Sequence, residues 1–347
     1  MLGISVFAGL GISLEENYEY MSKAKELGIN KIFTSFHIPE SSMDFDYEMN
    51  EILNYSKELD MSIIADISKS YFDNIDFNKY NIESLRLDFG FSNKDIAKLT
   101  KELFCGITLN ASTLEKSDIE EILSFGGDLS KINACHNYYP RPETGISESL
   151  FNERNSLFKY YNIELTAFIP SFYRPRGPIF EGLPTLEMHR HMDPVVAYQH
   201  LISCGVDNVF FGDSQASFEE LCRISDIKKN IFRIPIKIFD VCDEELRILD
   251  MVHRNRKDPG EFVVRSSKAI NNLKSSIRPN NCIDRFKYGV CIDNHGYLRY
   301  EGNLHVLKKD FESDSRVNLV ADATEAAILI ETIKPGDFFE FEIKRKK

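Results

Sequence analysis

Short apolar runs recur through the first two-thirds of the chain, and amphipathic stretches separate them. The runs cover residues 4–7, 31–35, 62–66, 84–87, 104–109, 131–135, 164–169 and 208–211 and read as strands. Residues 14–27 and 48–59 have the spacing of amphipathic helices, and Gly28 follows the first as a C-cap. Eight strand–helix units over roughly 215 residues predict a (β/α)8 TIM barrel of class α/β.

After about residue 225 the pattern changes. Residues 237–241 read as a strand and 243–252 as a helix, and an irregular segment begins at His253-Arg254-Asn255-Arg256. Short strands are then expected at 289–292, 298–300, 304–307, 317–321 and 338–343, set apart by turns such as Asp293-Asn294-His295-Gly296 and Pro335-Gly336-Asp337. This predicts a second, mainly β domain in the form of a small barrel, with a division into 1–235 and 236–347.

In a TIM barrel, catalytic groups sit at the carboxyl ends of the strands and in the loops that follow. Those positions hold His37 and Glu40 after the second strand, Asp66 at the third, Arg86 and Asp88 at the fourth, and Asn110 at the fifth. The sixth strand runs into His136-Asn137-Tyr138-Tyr139-Pro140-Arg141-Pro142-Glu143-Thr144-Gly145, and the eighth into Gly212-Asp213-Ser214. The connection after the seventh, residues 170–193, is long enough to be functional or disordered, and it carries Arg176 and Glu187.

Composition narrows the chemistry. A net charge of -12 excludes a general nucleic-acid binder, and the basic end Lys344-Arg345-Lys346-Lys347 reads as a solvated tail. No apolar run approaches the ~18 residues of a membrane span, and residues 1–10 read as a first strand, not a signal peptide. Seven scattered cysteines without a C-x-x-C pair suggest reduced thiols in a cytosol. Cys135 reads as a small core residue before it reads as a nucleophile.

The carboxylates Glu40, Asp66, Asp88, Glu143, Glu187 and Asp213 suit general acid and base work such as glycoside hydrolysis, where one carboxyl group needs a raised pKa. Asp88 reads equally as an ion-pair partner of Arg86, and Asp213 as the cap of a helix starting at Ser217. Arg86, Arg141 and Arg176, with Arg254 and Arg256 from the second domain, point to an anionic substrate. Without tryptophan, sugar stacking falls to Tyr138, Tyr139, Phe172 or Tyr173. A mixed site of His37, His136, Asp66, Asp88, Asp213 and Glu187 is the metal alternative, but no ligand spacing supports it, so no metal or cofactor is expected.

Several segments together resemble one bacterial family. They are Gly3-Ile4-Ser5-Val6, the stretch from Phe33 to Glu40, Asp66-Ile67-Ser68, Leu85-Arg86-Leu87-Asp88, Leu109-Asn110-Ala111-Ser112-Thr113, the His136 to Gly145 motif, Arg176-Gly177-Pro178, Gly182-Leu183-Pro184-Thr185-Leu186-Glu187 and Gly212-Asp213. In these the chain is similar to the 6-phospho-N-acetylmuramidases of the MupG type. The resemblance implies a TIM barrel followed by a cyclophilin-like β domain. It also implies a cytoplasmic enzyme that releases N-acetylmuramic acid 6-phosphate from a disaccharide during cell-wall sugar recycling.

The expected catalytic residues are Asp88, Glu143 and Asp213. His37, Glu40, Asp66, Arg86, Asn110, His136, Asn137, Arg141, Arg176 and Glu187 are expected to bind an anionic phosphorylated amino sugar. No nucleic acid or membrane partner is expected, and a homo-oligomer is compatible with the sequence. Retaining, inverting and substrate-assisted mechanisms stay open. So do another 6-phosphoglycoside as substrate, a sugar-phosphate lyase or isomerase, and a non-catalytic sensor.

Overall fold

The computed structural model describes residues 1–36, 45–72 and 77–344. The chain divides into two compact units, Met1–Ser225 and the part from Asp226 onward.

The first unit is a closed barrel of eight parallel strands: β1 (Leu2–Ser5), β2 (Lys31–Ser35), β3 (Ser62–Ile67), β4 (Ile82–Leu87), β5 (Gly106–Asn110), β6 (Ile132–Cys135), β7 (Leu165–Ile169) and β8 (Asn208–Phe211). Each expected strand is present within a few residues of its expected place. The helices are α1 (Leu14–Glu26), α2 (Phe45–Glu58), the short α3 (Lys69–Phe72), α4 (Asn93–Glu102), α5 (Lys116–Ser124), α6 (Glu148–Tyr160), α7 (Pro194–Ser203) and α8 (Phe218–Ser225). Reciprocal capping starts α1, where Ser13 and Glu16 bond each other's backbone, and α4, where Ser92 and Asp95 do the same.

Alternate residues of a strand face opposite sides, so each strand offers one set to the barrel interior and one to the helices. Phe33, Ile64, Cys135, Phe168 and Phe210 pack with Phe7 as the interior plug. β1 closes onto β8 with Gly3 opposite Phe210, where any side chain would collide with the Phe210 ring. Above this plug, the same parity turns Asp66, Arg86, Asn110 and Asn137 toward the interior and His136 and Asp213 away from it.

The second unit is a seven-stranded sheet in the order β10-β15-β9-β14-β12-β13-β11. Its strands are β9 (Ile231–Ile238), β10 (His253–Arg254), β11 (Val263–Arg265), β12 (Gly289–Asp293), β13 (Leu304–Leu307), β14 (Val317–Asp322) and β15 (Phe338–Ile343). Two helices, α9 (Asp243–Leu249) and α10 (Ala327–Thr332), accompany it. The pairing is antiparallel except between β9 and β15, and the two end strands of that order meet where Asn255 bridges Ser266, Arg256 N–H donates to the Arg265 carbonyl and Ser267 N–H to that of Arg254, so the unit is mostly β.

Three local expectations change. β9 begins well before residue 237 and passes through Pro235. Its ladder to β14 covers only Lys237 and Ile238, so the proline lies on an open edge where its missing N–H is tolerated. Residues 298–300 belong to a 3-10 turn, His295–Tyr300, which starts where the Asn294 side chain accepts from Gly296 N–H. The compact units part at Ser225, ahead of the expected 235/236 division, because that division would cut β9 in two.

Candidate active site

The inward-facing groups of β3, β4 and β6 meet at the carboxyl end of the barrel. Asp66 and Arg86 are direct partners in the parallel register, and Arg86 Nη1 donates to Asp66 Oδ1 at 2.8 Å. Arg86 Nη2 donates to Asn137 Oδ1 at 2.5 Å, and Asp88 Oδ1 stands 3.8 Å from Nη1. One guanidinium therefore ties three strands and lies between two carboxylates. Burial pushes the Asp66 carboxyl up, and the Arg86 charge works against that rise. Asp66 keeps 17% of its side-chain surface open and Asp88 keeps 53%, so both can be reached.

Arg176 enters from the long connection after β7. Its guanidinium lies 4.3 Å from the Phe7 ring centre, and Nη1 donates to Tyr138 Oη at 2.6 Å. Tyr138 packs edge-on to Phe33 and Phe168 at the top of the interior plug. Two arginines and two aspartates thus crown an aromatic floor, an arrangement that can hold anionic groups and deliver a proton.

Asp213 has a different part from the expected one. It is fully buried and faces away from the barrel axis. Its oxygens accept the backbone N–H groups of Ser171 (2.8 Å), Arg176 (3.0 Å) and Leu183 (3.3 Å), all from the long connection. Burial pushes its pKa up to about 6, although the three N–H bonds pull the other way. It fixes the loop that presents Arg176. It does not cap α8: Ser217 and Glu220 form that cap, and Glu220 also receives Ser171 Oγ and Phe172 N–H.

Glu187 is likewise a clamp. Arg190 grips both its oxygens at 2.6 Å, and the same carboxylate accepts the N–H groups of Glu143 (2.8 Å) and Gly145 (2.7 Å). Arg190 holds the Glu187 pKa down at about 2. The remaining donors of Arg190 reach the carbonyls of Glu181, Gly182, Tyr139 and Arg141. Gly145 is required because a Cβ there would press on the Glu187 backbone. The clamp holds Glu143 in the left-handed region at φ 70, with its side chain exposed. Glu143 is one of eight described non-glycine residues with positive φ, and here two bonds to Glu187 hold the conformation.

His136 is the clearest departure from expectation. Parity sends it into the helical layer, where it is fully buried against Phe151. It bonds Asn155 Oδ1 at 2.8 Å and Ser112 Oγ at 3.2 Å, and burial lowers its pKa to about 4. Ser112 in turn accepts Asn137 N–H, so His136 supports Asn137 from behind and does not face a ligand. Cys135 is also fully buried, with its thiol pushed up to about 12. Asn110 closes an Asx turn onto Ser112 N–H and is half-buried at the rim. Arg141 is exposed, and its guanidinium has no partner among the described residues. His37 and Glu40 lie outside the described residues. Arg256 forks Asp258 and Arg254 covers the Phe338 ring, both within the second unit.

Sequence reasoning passed over Arg190, Glu220 and Phe89. Ser217-Phe218-Glu219-Glu220 carries the spacing of a capping box, and Glu187 to Arg190 the three-residue spacing that eclipses in a 3-10 turn. Phe89 follows Asp88 and is 81% exposed, more than Phe172 or Tyr173. Beside the mouth, a cleft of about 520 Å³ runs between Leu10 and Ile12 on one side and Arg174, Pro178 and Phe180 on the other. An ion pair of 2.7 Å between Arg174 and Glu16 forms part of its wall. Its volume falls in the ~300–1,000 Å³ range of small-molecule sites.

Known proteins match both units of the chain. The family model described as 6-phospho-N-acetylmuramidase, N-terminal, matches residues 2–226, and its C-terminal counterpart matches residues 232–342. A crystal structure of a conserved Enterococcus faecalis protein of unknown function is 32% identical, with a TM-score of 0.82 over 99% of this chain and 96% of that one. An uncharacterized B. cereus protein is 30% identical, with a TM-score of 0.86 over 98% of this chain and 99% of that one. Among curated proteins nothing matches.

Proposed function

The chain belongs to the 6-phospho-N-acetylmuramidase family, a family of glycosidases, and from that premise we propose that it hydrolyses a disaccharide carrying N-acetylmuramic acid 6-phosphate, in the recycling of cell-wall sugars. The observation that carries this reading is Arg86 held between Asp66 and Asp88 at the barrel mouth. Both carboxylates approach Arg86 Nη1, at 2.8 and 3.8 Å, so the two oxygens are no more than about 7 Å apart, close enough to flank one glycosidic bond.

Asp66 is the proton donor in this account. Burial favours its neutral form, and Arg86 fixes one oxygen so that the other faces the mouth. Asp88, or the exposed Glu143, supplies the second carboxylate, or else orients an acetamido group that attacks the anomeric carbon itself. Arg141 and Arg176 take the phosphate and the lactyl carboxylate, and Asn110 and Asn137 stand where hydroxyls would lie. The cleft by Arg174 has room for the second sugar ring.

The reaction belongs in the cytoplasm on this reading, in keeping with seven unpaired cysteines and with the absence, among the described residues, of a helix long and apolar enough to cross a membrane. The mostly β second unit is the part we read as cyclophilin-like.

Leaving-group chemistry tests the acid. Asp66→Asn should abolish cleavage of the natural disaccharide and retain cleavage of an aryl 6-phosphoglycoside whose leaving group needs no proton. Equal loss on both substrates would remove Asp66 from that role.

A further inference from the structure

Away from the mouth, the helical layer brings together three side chains that the reaction does not use. His200 Nε2 lies 3.5 Å from Glu148 Oε1 and 3.7 Å from Cys204 Sγ, and the three donor atoms all fall within 4.8 Å of one another. We propose that Glu148, His200 and Cys204 form a binding site for a zinc-class divalent metal, with water completing the shell.

Two of the three ligand spacings, 3.5 and 3.7 Å, match a tetrahedral shell, and the third is no more than 4.8 Å. Zinc bonds nitrogen and oxygen at about 2.0–2.2 Å and sulfur at about 2.3 Å, so tetrahedral ligand atoms sit about 3.3–3.7 Å from one another. His200 and Cys204 are four residues apart at the end of α7, which places both on one face. Glu148 opens α6 with 44% of its side-chain surface exposed, so an ion and its water can enter from solvent.

The surroundings orient the ligands. His200 Nδ1 is 2.9 Å from Nε2 of His189, as metal-bound imidazoles are held through their second nitrogen. Without metal the Glu148 carboxylate faces His200 Nε2, and with metal the ring proton moves to His200 Nδ1, where His189 Nε2 accepts it. His200 can therefore turn the lone pair of Nε2 to a metal. The Cys204 carbonyl is held by Lys159 Nζ at 2.9 Å and Asn155 Nδ2 at 3.4 Å, which engages the one nearby cation among these contacts and leaves Sγ toward His200. On binding, the thiol gives its proton to solvent as the sulfur–metal bond forms.

Occupancy would stiffen a chain that reaches the mouth. Asn155 bonds both Cys204 and His136, His136 bonds Ser112, and Ser112 holds Asn137. The metal here is a brace between α6 and α7, remote from the reacting atoms.

Full-length protein stripped by chelator dialysis is titrated with Zn2+ against a chromophoric chelator, and with Co2+ for its spectrum. The expected result is one metal per chain, with a thiolate-to-cobalt charge-transfer band that Cys204→Ser removes. Glu148→Gln, at an exposed helix start, should keep the unfolding temperature of the metal-free parent yet weaken zinc binding at least about tenfold. Absence of stoichiometric binding by the folded parent would overturn the proposal. So would binding left unchanged in both variants, which would put the metal elsewhere.

Discussion

Arg190 grips both oxygens of Glu187, three residues earlier in the chain, and this pair joins the two loops that frame the barrel mouth. The carboxylate reaches the backbone of Glu143 and Gly145 after β6, while the guanidinium reaches the carbonyls of Tyr139, Arg141, Glu181 and Gly182. Lysine has no forked donors to replace it. Arg190→Lys should cost about 2–4 kcal/mol, since it leaves a partly buried carboxylate and several carbonyls short of partners. Thermal unfolding measures it, and a midpoint within a degree of the parent would show that the clamp is dispensable.

Asp213 is fully buried and presents Arg176 through backbone bonds, which gives it a supporting part. A side-chain amide in its place would point an NH2 group at N–H donors, so Asp213→Asn should lose about 1–3 kcal/mol of stability along with activity. An activated leaving group should not rescue this variant, in contrast to Asp66→Asn. Rescue would make Asp213 the acid after all.

Arg141 has no partner for its guanidinium among the described residues, so its substitution reports on binding. Arg141→Gln should raise KM by roughly 10- to 100-fold, the worth of a charge-assisted hydrogen bond, and leave the unfolding temperature unchanged. A KM equal to that of the parent would take Arg141 out of anion recognition.

Acid should destabilise the protein in two stages. Burial lowers His136, His253 and His305 to about 4 from 6.5, so the unfolded chain binds protons first and stability falls as pH drops from 6.5 toward 4. Glu187 is depressed to about 2 from 4.5, so its contribution is whole above 4.5 and is lost as pH falls through 2. Asp213 and Asp293, raised by burial to about 6 and about 7, gain protons on folding over the same range and offset part of that loss. Unfolding midpoints should therefore fall most clearly below pH 6, and a rise from pH 6 to 4 would contradict the burial of these imidazoles.

Much of this architecture was legible in the chain. Eight apolar runs gave the barrel, and the charged residues just beyond them gave Asp66, Arg86 and Asp88. Parity was the unused signal. Cys135 and Asn137 share a face while His136 takes the other, and Gly212 faces inward while Asp213 does not, so alternation separates binding residues from supports. Arg190 and Glu220 were harder to find because their partners are backbone groups of distant loops, which leave no spacing in the sequence. Pro235 hid the first half of β9, since only the pairing shows that its edge is open there.

The most direct measurement is product analysis after incubation with a 6-phosphomuramyl-N-acetylglucosamine disaccharide and with its unphosphorylated form. Release of N-acetylmuramic acid 6-phosphate from the first, and no cleavage of the second, is the predicted result. Folded protein that cleaves neither, or that cleaves both equally, would contradict the account.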